Sequence, residues 1–416
     1  MDLDVAFVRS RFPAFAEPAL AGWSFFENAG GSYPCVQTVE ALDHYYRTMK
    51  VQPYAPYDAS ARAGEAMDRS RRRWAEALRV SFDDVQFGPS TSMNAYVLAQ
   101  AFARVVGKGD RVIVTNQDHE ANTGAVRRMA AEVGAELVEW RIDPSSGLLD
   151  LERLADLLAP ATRLVTVPHC SNIVGQENDV AAIGELVHRV GARLVVDGVS
   201  FAPHAIPDVA ALDADVYLFS LYKTYSVHQG LMVTCNGILD ELPNQGHFFN
   251  EDQPSKRLTP AGPDHAQEAA AGAVLDYAEE LHRHHGGSAD DDLATVAASV
   301  SRLWQDHETA LLGSVLPVLA ENRSVRLLGP AEAGVGPLHR CPTVAFVPLD
   351  RSPSEVVEGL VARGIMCSAG HFYAYRVLGG LDVDPERGVV RLSWVHYTDE
   401  GDIARLIDAL RDVLGP

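Results

Sequence analysis

Two apolar runs, each closed by polar side chains, constrain this chain more than any other feature. Leu194-Val195-Val196 leads into Asp197, and Val216-Tyr217-Leu218-Phe219 leads through Ser220 to Lys223. Continuous apolar runs of this length, flanked by small residues, read as strands buried on both faces of a parallel sheet. Ligands of such sheets collect at the carboxyl ends of the strands. An acid and an amine are therefore delivered to one rim. That combination suits pyridoxal phosphate, which needs a lysine to carry its aldehyde as a Schiff base and a carboxylate to keep its ring nitrogen protonated. A buried structural ion pair accounts for the two residues equally well.

The rest of the chain supplies the framework such strands require. Strands are expected at 85–88, 111–115, 164–167 and 231–235, the last closing the series. Helical patterns fall at 36–49, 60–79, 91–106, 120–133 and 179–190. Strands alternating with helices imply an α/β fold with a mostly parallel sheet covered on both faces. The stretch 240–264, with Pro243, Pro254, Pro260 and Pro263, reads as a long irregular loop, and loops of that length are often functional. Helices are expected at 265–284 and 292–321. Strands near 324–328, 342–348 and 389–394, with helices near 353–363 and 399–413, then suggest a smaller α+β unit. At 416 residues two domains are expected. The division reads as an extended N-terminal arm, 1–34, a large cofactor-binding domain, 35–287, and a small C-terminal domain, 288–416.

Composition excludes several classes of function. A net charge of −21 argues against nucleic acid and against anionic membrane surfaces as partners. Five cysteines without a CxxC pair give neither a disulfide framework nor a zinc pattern, so no metal site is expected. The acidic start, Met1-Asp2-Leu3-Asp4, lacks an apolar signal core. No apolar run approaches the roughly 20 residues of a membrane span. A cytoplasmic location is expected.

Further candidates stand at successive strand ends. Gly88-Pro89-Ser90-Thr91-Ser92 opens a helix, where free backbone N–H groups and hydroxyls can hold a phosphate. Plain N-capping by Ser90 or Thr91 explains the same residues. His119 could stack on a pyridine ring, and Asn172 could donate to its phenolic oxygen. Each also reads as an ordinary turn residue.

Taken together, Asn28-Ala29-Gly30-Gly31, Phe87-Gly88-Pro89-Ser90, Asp118-His119-Glu120-Ala121-Asn122, Ser171-Asn172, Val196-Asp197 with Ala202-Pro203-His204, Ser220-Leu221-Tyr222-Lys223 and Val390-Arg391-Leu392-Ser393 resemble the landmarks of the class V aminotransferases. The nearest branch is the cysteine desulfurase-like one; the family also holds selenocysteine lyases, kynureninases and isopenicillin epimerases. The likeness runs along nearly the whole chain. It implies a fold type I pyridoxal-phosphate enzyme, a homodimer, acting on a small amino-acid substrate. It implies that Lys223 holds the cofactor and moves the Cα proton, that Asp197 pairs with the ring nitrogen and that His119 stacks on the ring. Asn172 would touch the ring oxygen, with Ser200 nearby where relatives carry glutamine or histidine. Ser90, Thr91 and Ser220 would bind phosphate. Arg391 would clamp the substrate carboxylate, with Asn28 and Tyr373 beside the substrate.

The departures bear on the reaction. Desulfurases of this kind carry a nucleophilic cysteine shortly after a Gly-His pair. Here the segment reads Gly370-His371-Phe372-Tyr373, and Cys367 is off register. Tyr222 precedes the lysine where histidine is usual. Ala261-Gly262-Pro263-Asp264-His265 lacks the threonine by which family members reach the partner subunit's phosphate. The resemblance therefore implies a desulfurase-like lyase, working by β-elimination or C–S cleavage, without the usual cysteine. An aminotransferase or epimerase acting on a specialised amino acid is the alternative, and a catalytically inactive cofactor-binding protein is a further one.

Overall fold

A computed structural model describes residues 2–335 and 338–415. Its main sheet has seven strands: β1 (Val85–Gly88), β2 (Arg111–Thr115), β3 (Glu136–Trp140), β4 (Thr162–Pro168), β5 (Arg193–Asp197), β6 (Val216–Ser220) and β7 (Gly230–Thr234). Their order across the sheet is β1-β7-β6-β5-β4-β2-β3. Six strands run parallel, and β7 is antiparallel to both of its neighbours. Side chains alternate between two cores, as the pleat requires. Val195, Val216 and Leu218 face one core with Leu98, Phe102 and Met129 of the covering helices. Leu194, Val196, Tyr217 and Phe219 face the other. Burial on both faces is why these strands read as unbroken apolar runs.

The structure departs from the sequence expectations at several places. The strand expected to close the series, β7, instead sits inside the sheet. Only residues 221–229 separate it from β6, too few for a crossover helix, so it returns antiparallel. Strand β3 and the helix Leu151–Leu157 carried no apolar run to reveal them. β3 is an edge strand, and only Trp140 within it is buried. The helix expected over 265–284 is two helices, His265–Ala271 and Ala273–His284. The break falls at Gly272, whose backbone lies so close to Ser70 that a Cβ there would stand 2.9 Å from the Ser70 Cα.

A second, antiparallel sheet has the order β10-β11-β9-β8, formed by β8 (Val325–Leu327), β9 (Thr343–Pro348), β10 (Ser368–Gly370) and β11 (Val389–Ser393). Helices Pro353–Val361 and Glu400–Leu414 cover one face of it. The helix Leu293–Ala320 ties the two halves together. Val296, Val300 and Trp304 pack into the first core, and Leu312, Val315 and Leu319 into the second. The two cores therefore meet along this helix rather than at its start.

The first 34 residues do not form an extended arm. Val5–Ser10 is a helix, and Val8 and Phe12 are buried in the first core. Ser24 and Phe25 pair in parallel with Ile365 and Met366, and Phe26 enters the second core. Apolar residues at these positions would be left in water by an arm that stayed extended. Among the described residues no helix is long and apolar enough to cross a membrane.

Candidate active site

The carboxyl ends of β2, β4 and β6 open on a cavity of about 650 Å³ whose walls include Glu27, His119, Asn172, Lys223, Tyr373 and Arg391. Lys223 ends a single 3-10 turn that follows β6 directly. No hydrogen bond or ion pair engages its amine among the described residues. Burial, with Arg391 nearby, lowers the pKa of this lysine to about 8, although Asp197 and Glu27 pull it the other way. Asp197 lies buried at the end of β5 and accepts the Val199 N–H at 2.9 Å. Burial raises its carboxyl pKa, and Val199 and Lys223 oppose the shift. A cation set against this acid would restore the carboxylate.

His119 is placed by its neighbour. The buried Asp118 carboxylate accepts from Thr115 Oγ1 and Asn122 Nδ2, both at 2.7 Å, and so fixes the turn between β2 and the helix Glu120–Val133. His119 caps that helix, its Nδ1 accepting the Ala121 N–H at 3.1 Å. Burial first, then Lys223 and Arg391, lowers its pKa to about 3, so the ring is neutral at working pH. A neutral, flat ring suits stacking. Next to Ser92 of the cavity wall, Thr91 Oγ1 and Ser220 Oγ lie 2.7 Å apart. Ser90 caps the helix Thr91–Phe102 and accepts the Met93 N–H. Gly230 makes this approach possible, since a Cβ there would lie 2.3 Å from the Thr91 nitrogen and 2.4 Å from the Ser90 carbonyl carbon. Gly230→Ala is expected to cost about 1–3 kcal/mol of stability and to loosen the hold on a phosphate. Thermal unfolding and cofactor dissociation measure the two effects, and an unchanged melting temperature would contradict this account of the packing.

Arg391 comes from β11. Val390 and Leu392 point into the second core, so Arg391 points out of the opposite face of the strand, toward the cavity. Its Nη2 meets Glu27 Oε1 at 3.0 Å, and its Nη1 reaches the Asn172 carbonyl at 3.4 Å. The Phe372 ring lies against the guanidinium, 3.9 Å from Cζ to centroid. Asn172 donates its Nδ2 to the Phe372 carbonyl at 3.0 Å, and Glu120 donates its backbone N–H to the Tyr373 carbonyl at 2.8 Å. These bonds hold Phe372 and Tyr373 at φ of 50° and 57°, a left-handed pair that costs non-glycine residues free energy. Tyr373, 67% exposed, stands at the cavity mouth. Asn172 Oδ1 and Arg391 Nε are buried without a partner in this wall.

The cavity wall thus brings together Lys223, His119, Asn172, Arg391 and Tyr373. Asp197 is near enough to act on the Lys223 charge but, like Ser90, Thr91 and Ser220, lies behind the wall rather than in it. The structure does not bring Asn28 into the cavity. That side chain donates to the Phe25 and Ser393 carbonyls and accepts the Tyr397 hydroxyl, so its hydrogen-bonding groups are consumed inside the fold. Ser200 lies in the turn after β5, outside the cavity wall, with no side-chain hydrogen bond. Glu27 is the group that sequence reasoning missed. The clue was a lone acid between Phe25-Phe26 and the small residues Ala29-Gly30-Gly31.

The donor set fits pyridoxal phosphate: an unpaired lysine, a buried acid lacking a cation, a neutral ring and two adjoining hydroxyls at a helix start. Residues in this arrangement, on the carboxyl rim of a mostly parallel sheet covered on both faces, define a fold type I pyridoxal-phosphate enzyme. The sequence profile described as "Aminotransferase class-V" matches residues 24–233, and the chain belongs to that family. It is 33% identical to the "Aminotransferase-like protein FGM3" of Gibberella zeae, across 98% of each chain. It is 25% identical to a cysteine desulfurase of Serratia proteamaculans, across 99% of each. A probable cysteine desulfurase of Mycolicibacterium paratuberculosis is 30% identical over 99% of this chain, which spans 58% of that protein. In fold it is similar to the cysteine desulfurase CsdA of Escherichia coli, with a TM-score of 0.81, 22% identity and coverage of 100% and 99%. It is therefore a cysteine desulfurase-like member of the family and uses pyridoxal phosphate. With its pKa lowered to about 8, the Lys223 amine would meet a cofactor aldehyde in the neutral form above that value. Capture of pyridoxal phosphate by the apo-protein is accordingly expected to quicken as pH rises through about 8 and to level off above it. Stopped-flow absorbance on either side of that value tests this, and a rate flat in pH would contradict it.

Proposed function

We propose that this chain is a lyase that removes a substituent from the β carbon of an amino acid without passing sulfur to a cysteine. One observation carries the reading: no cysteine lines the cavity, and Tyr373 stands at its mouth. Cys367, the nearest in sequence, is buried away from the cavity, and burial pushes its thiol up to about 12. A thiol at that value supplies almost no thiolate for attack.

Each residue then has a defined task. Arg391 binds the α-carboxylate through its fork of donors. His119, neutral and flat, would stack on the cofactor ring, and Asp197 would keep its nitrogen protonated. The bound cofactor would supply an electron sink. Lys223 takes the Cα proton, and the β-substituent leaves with its bonding pair. Hydrolysis of the remaining enamine gives ammonia and a 2-oxo acid. The Phe372–Tyr373 turn covers the mouth and limits water. We place the working unit as a homodimer. Phe248 and Phe249, 85% and 66% exposed on the irregular segment before Pro254, offer apolar surface for a second copy.

The test is to incubate the holoenzyme with a panel of amino acids and to follow products by mass spectrometry. Release of ammonia, a 2-oxo acid and the free leaving group, with unmodified protein, is the expected result. Amino transfer to an added 2-oxo acid would establish an aminotransferase instead, and inversion at Cα an epimerase. A persulfide on the protein would end the proposal.

A further inference from the structure

Glu27 sits where a substrate must be recognised, and nothing in the reaction described above uses it. Its carboxylate holds Arg391 at 3.0 Å, so the buried guanidinium in the cavity wall is already paired. The carboxylate is also confined. Gly30 lies so close that a Cβ there would stand 3.0 Å from Glu27 Oε1, and Glu27 Oε2 is buried with no partner. Phe372 closes the face of the guanidinium. An incoming α-carboxylate would therefore share Arg391 with Glu27 and take the donors Glu27 leaves: Nη1, whose only bond is the long one to the Asn172 carbonyl, and Nε, which has no partner. Every amino acid meets that arrangement once. A substrate with a second anionic group meets the Glu27 charge twice and finds no further buried arginine in the cavity wall among the described residues. His119 is neutral, and the Lys223 amine, with a pKa lowered to about 8 and assigned to the Cα proton, is not a fixed counter-charge for a side chain. Glu120 and Arg128 at the mouth are exposed, opposite in sign and screened by solvent. Like charges set against each other in a site with few counter-charges are a strong device for rejecting wrong ligands.

We propose that Glu27 is the specificity-determining residue of this site, and that it selects amino acids with uncharged side chains over those with a second carboxylate or sulfinate. The inference rests on the substrate being an amino acid held by Arg391, and it narrows the lyase reading to neutral β-substituents.

The test is equilibrium binding, scored by perturbation of the holoenzyme's visible spectrum and independent of turnover. Asparagine with aspartate, and S-methylcysteine with cysteine sulfinate, form pairs of similar size that differ in charge. Wild-type holoenzyme is expected to prefer the neutral member of each pair by tenfold or more. Glu27→Gln is expected to tighten the acidic member at least tenfold while moving the neutral one less than threefold, and Glu27→Asp is expected to keep the preference. Equal affinities within the pairs for wild type would overturn the proposal, and that comparison needs no variant. An unchanged ratio in Glu27→Gln would overturn it as well. Selective binding of the neutral members without elimination products would sink the lyase reading and leave this one standing.

Discussion

Lys223→Ala is expected to leave a folded protein with no measurable turnover. In the proposed reaction the amine has two duties, holding the cofactor aldehyde and moving the Cα proton, and no second lysine lines the cavity. Loss of a positioned proton-transfer group alone costs about 10²–10⁴ in rate, and loss of the covalent attachment adds to that. The purified variant should also lack the visible absorbance of a lysine-bound cofactor, and borohydride should no longer fix cofactor to the chain. Replacing a side chain that makes no hydrogen bond leaves no polar partner stranded, so the melting temperature of the apo-protein should hold or rise. A variant that turned over at a tenth of the wild-type rate would remove Lys223 from the chemistry.

Arg391→Ala is the second large effect. Cofactor loading should persist, because in the proposed arrangement the guanidinium serves the substrate and not the cofactor. Affinity for carboxylate ligands should fall by about 10²-fold or more, the usual consequence of truncating one member of a buried, hydrogen-bonded charge pair. Stability should drop too, because the Glu27 carboxylate is left partly buried and unpaired. Arg391→Lys separates the two effects. It keeps the charge beside Glu27 but loses the planar fork, so stability should recover further than affinity. Titration of amino acids against the cofactor spectrum, beside thermal unfolding, measures both. Unchanged ligand affinity in Arg391→Ala would take Arg391 out of the site.

The parts of this site that were legible in the sequence share one property: the signal is local. Asp197 and Lys223 follow unbroken apolar runs because their strands are buried on both faces, and each polar group ends its run at the rim. Thr91 and His119 stand at helix starts that their own neighbours announce. What was not legible depends on contacts between distant segments. Glu27 meets Arg391 only because residues 24–27 run beside 365–366 and 393, a pairing that no periodicity encodes. Asn28 was misread for the same reason. Its amide looks free in the sequence, and Ser393 and Tyr397 take it up in the fold. The left-handed backbone at Phe372 and Tyr373 was equally hidden, because aromatic residues do not advertise positive φ as glycine does. Strand β3 lacked the apolar run of its neighbours because it lies at the sheet edge.

The partners Glu27 and Arg391 are separated by 364 positions in sequence. On a ribosome, the first of them emerges long before the second exists, and synthesis proceeds at about 5–20 residues per second. The nascent chain must therefore carry the Ser24–Phe25 strand unpaired until Ile365 and Met366 have been made, and Glu27 without its partner until β11 follows. Closing so large a loop is entropically inexpensive per added residue, about 0.6 kcal/mol for each doubling, but it cannot begin early. Catalytic competence is consequently the final event of folding for this chain, and a nascent polypeptide stalled before β11 can assemble much of its main sheet while having no place to put a substrate.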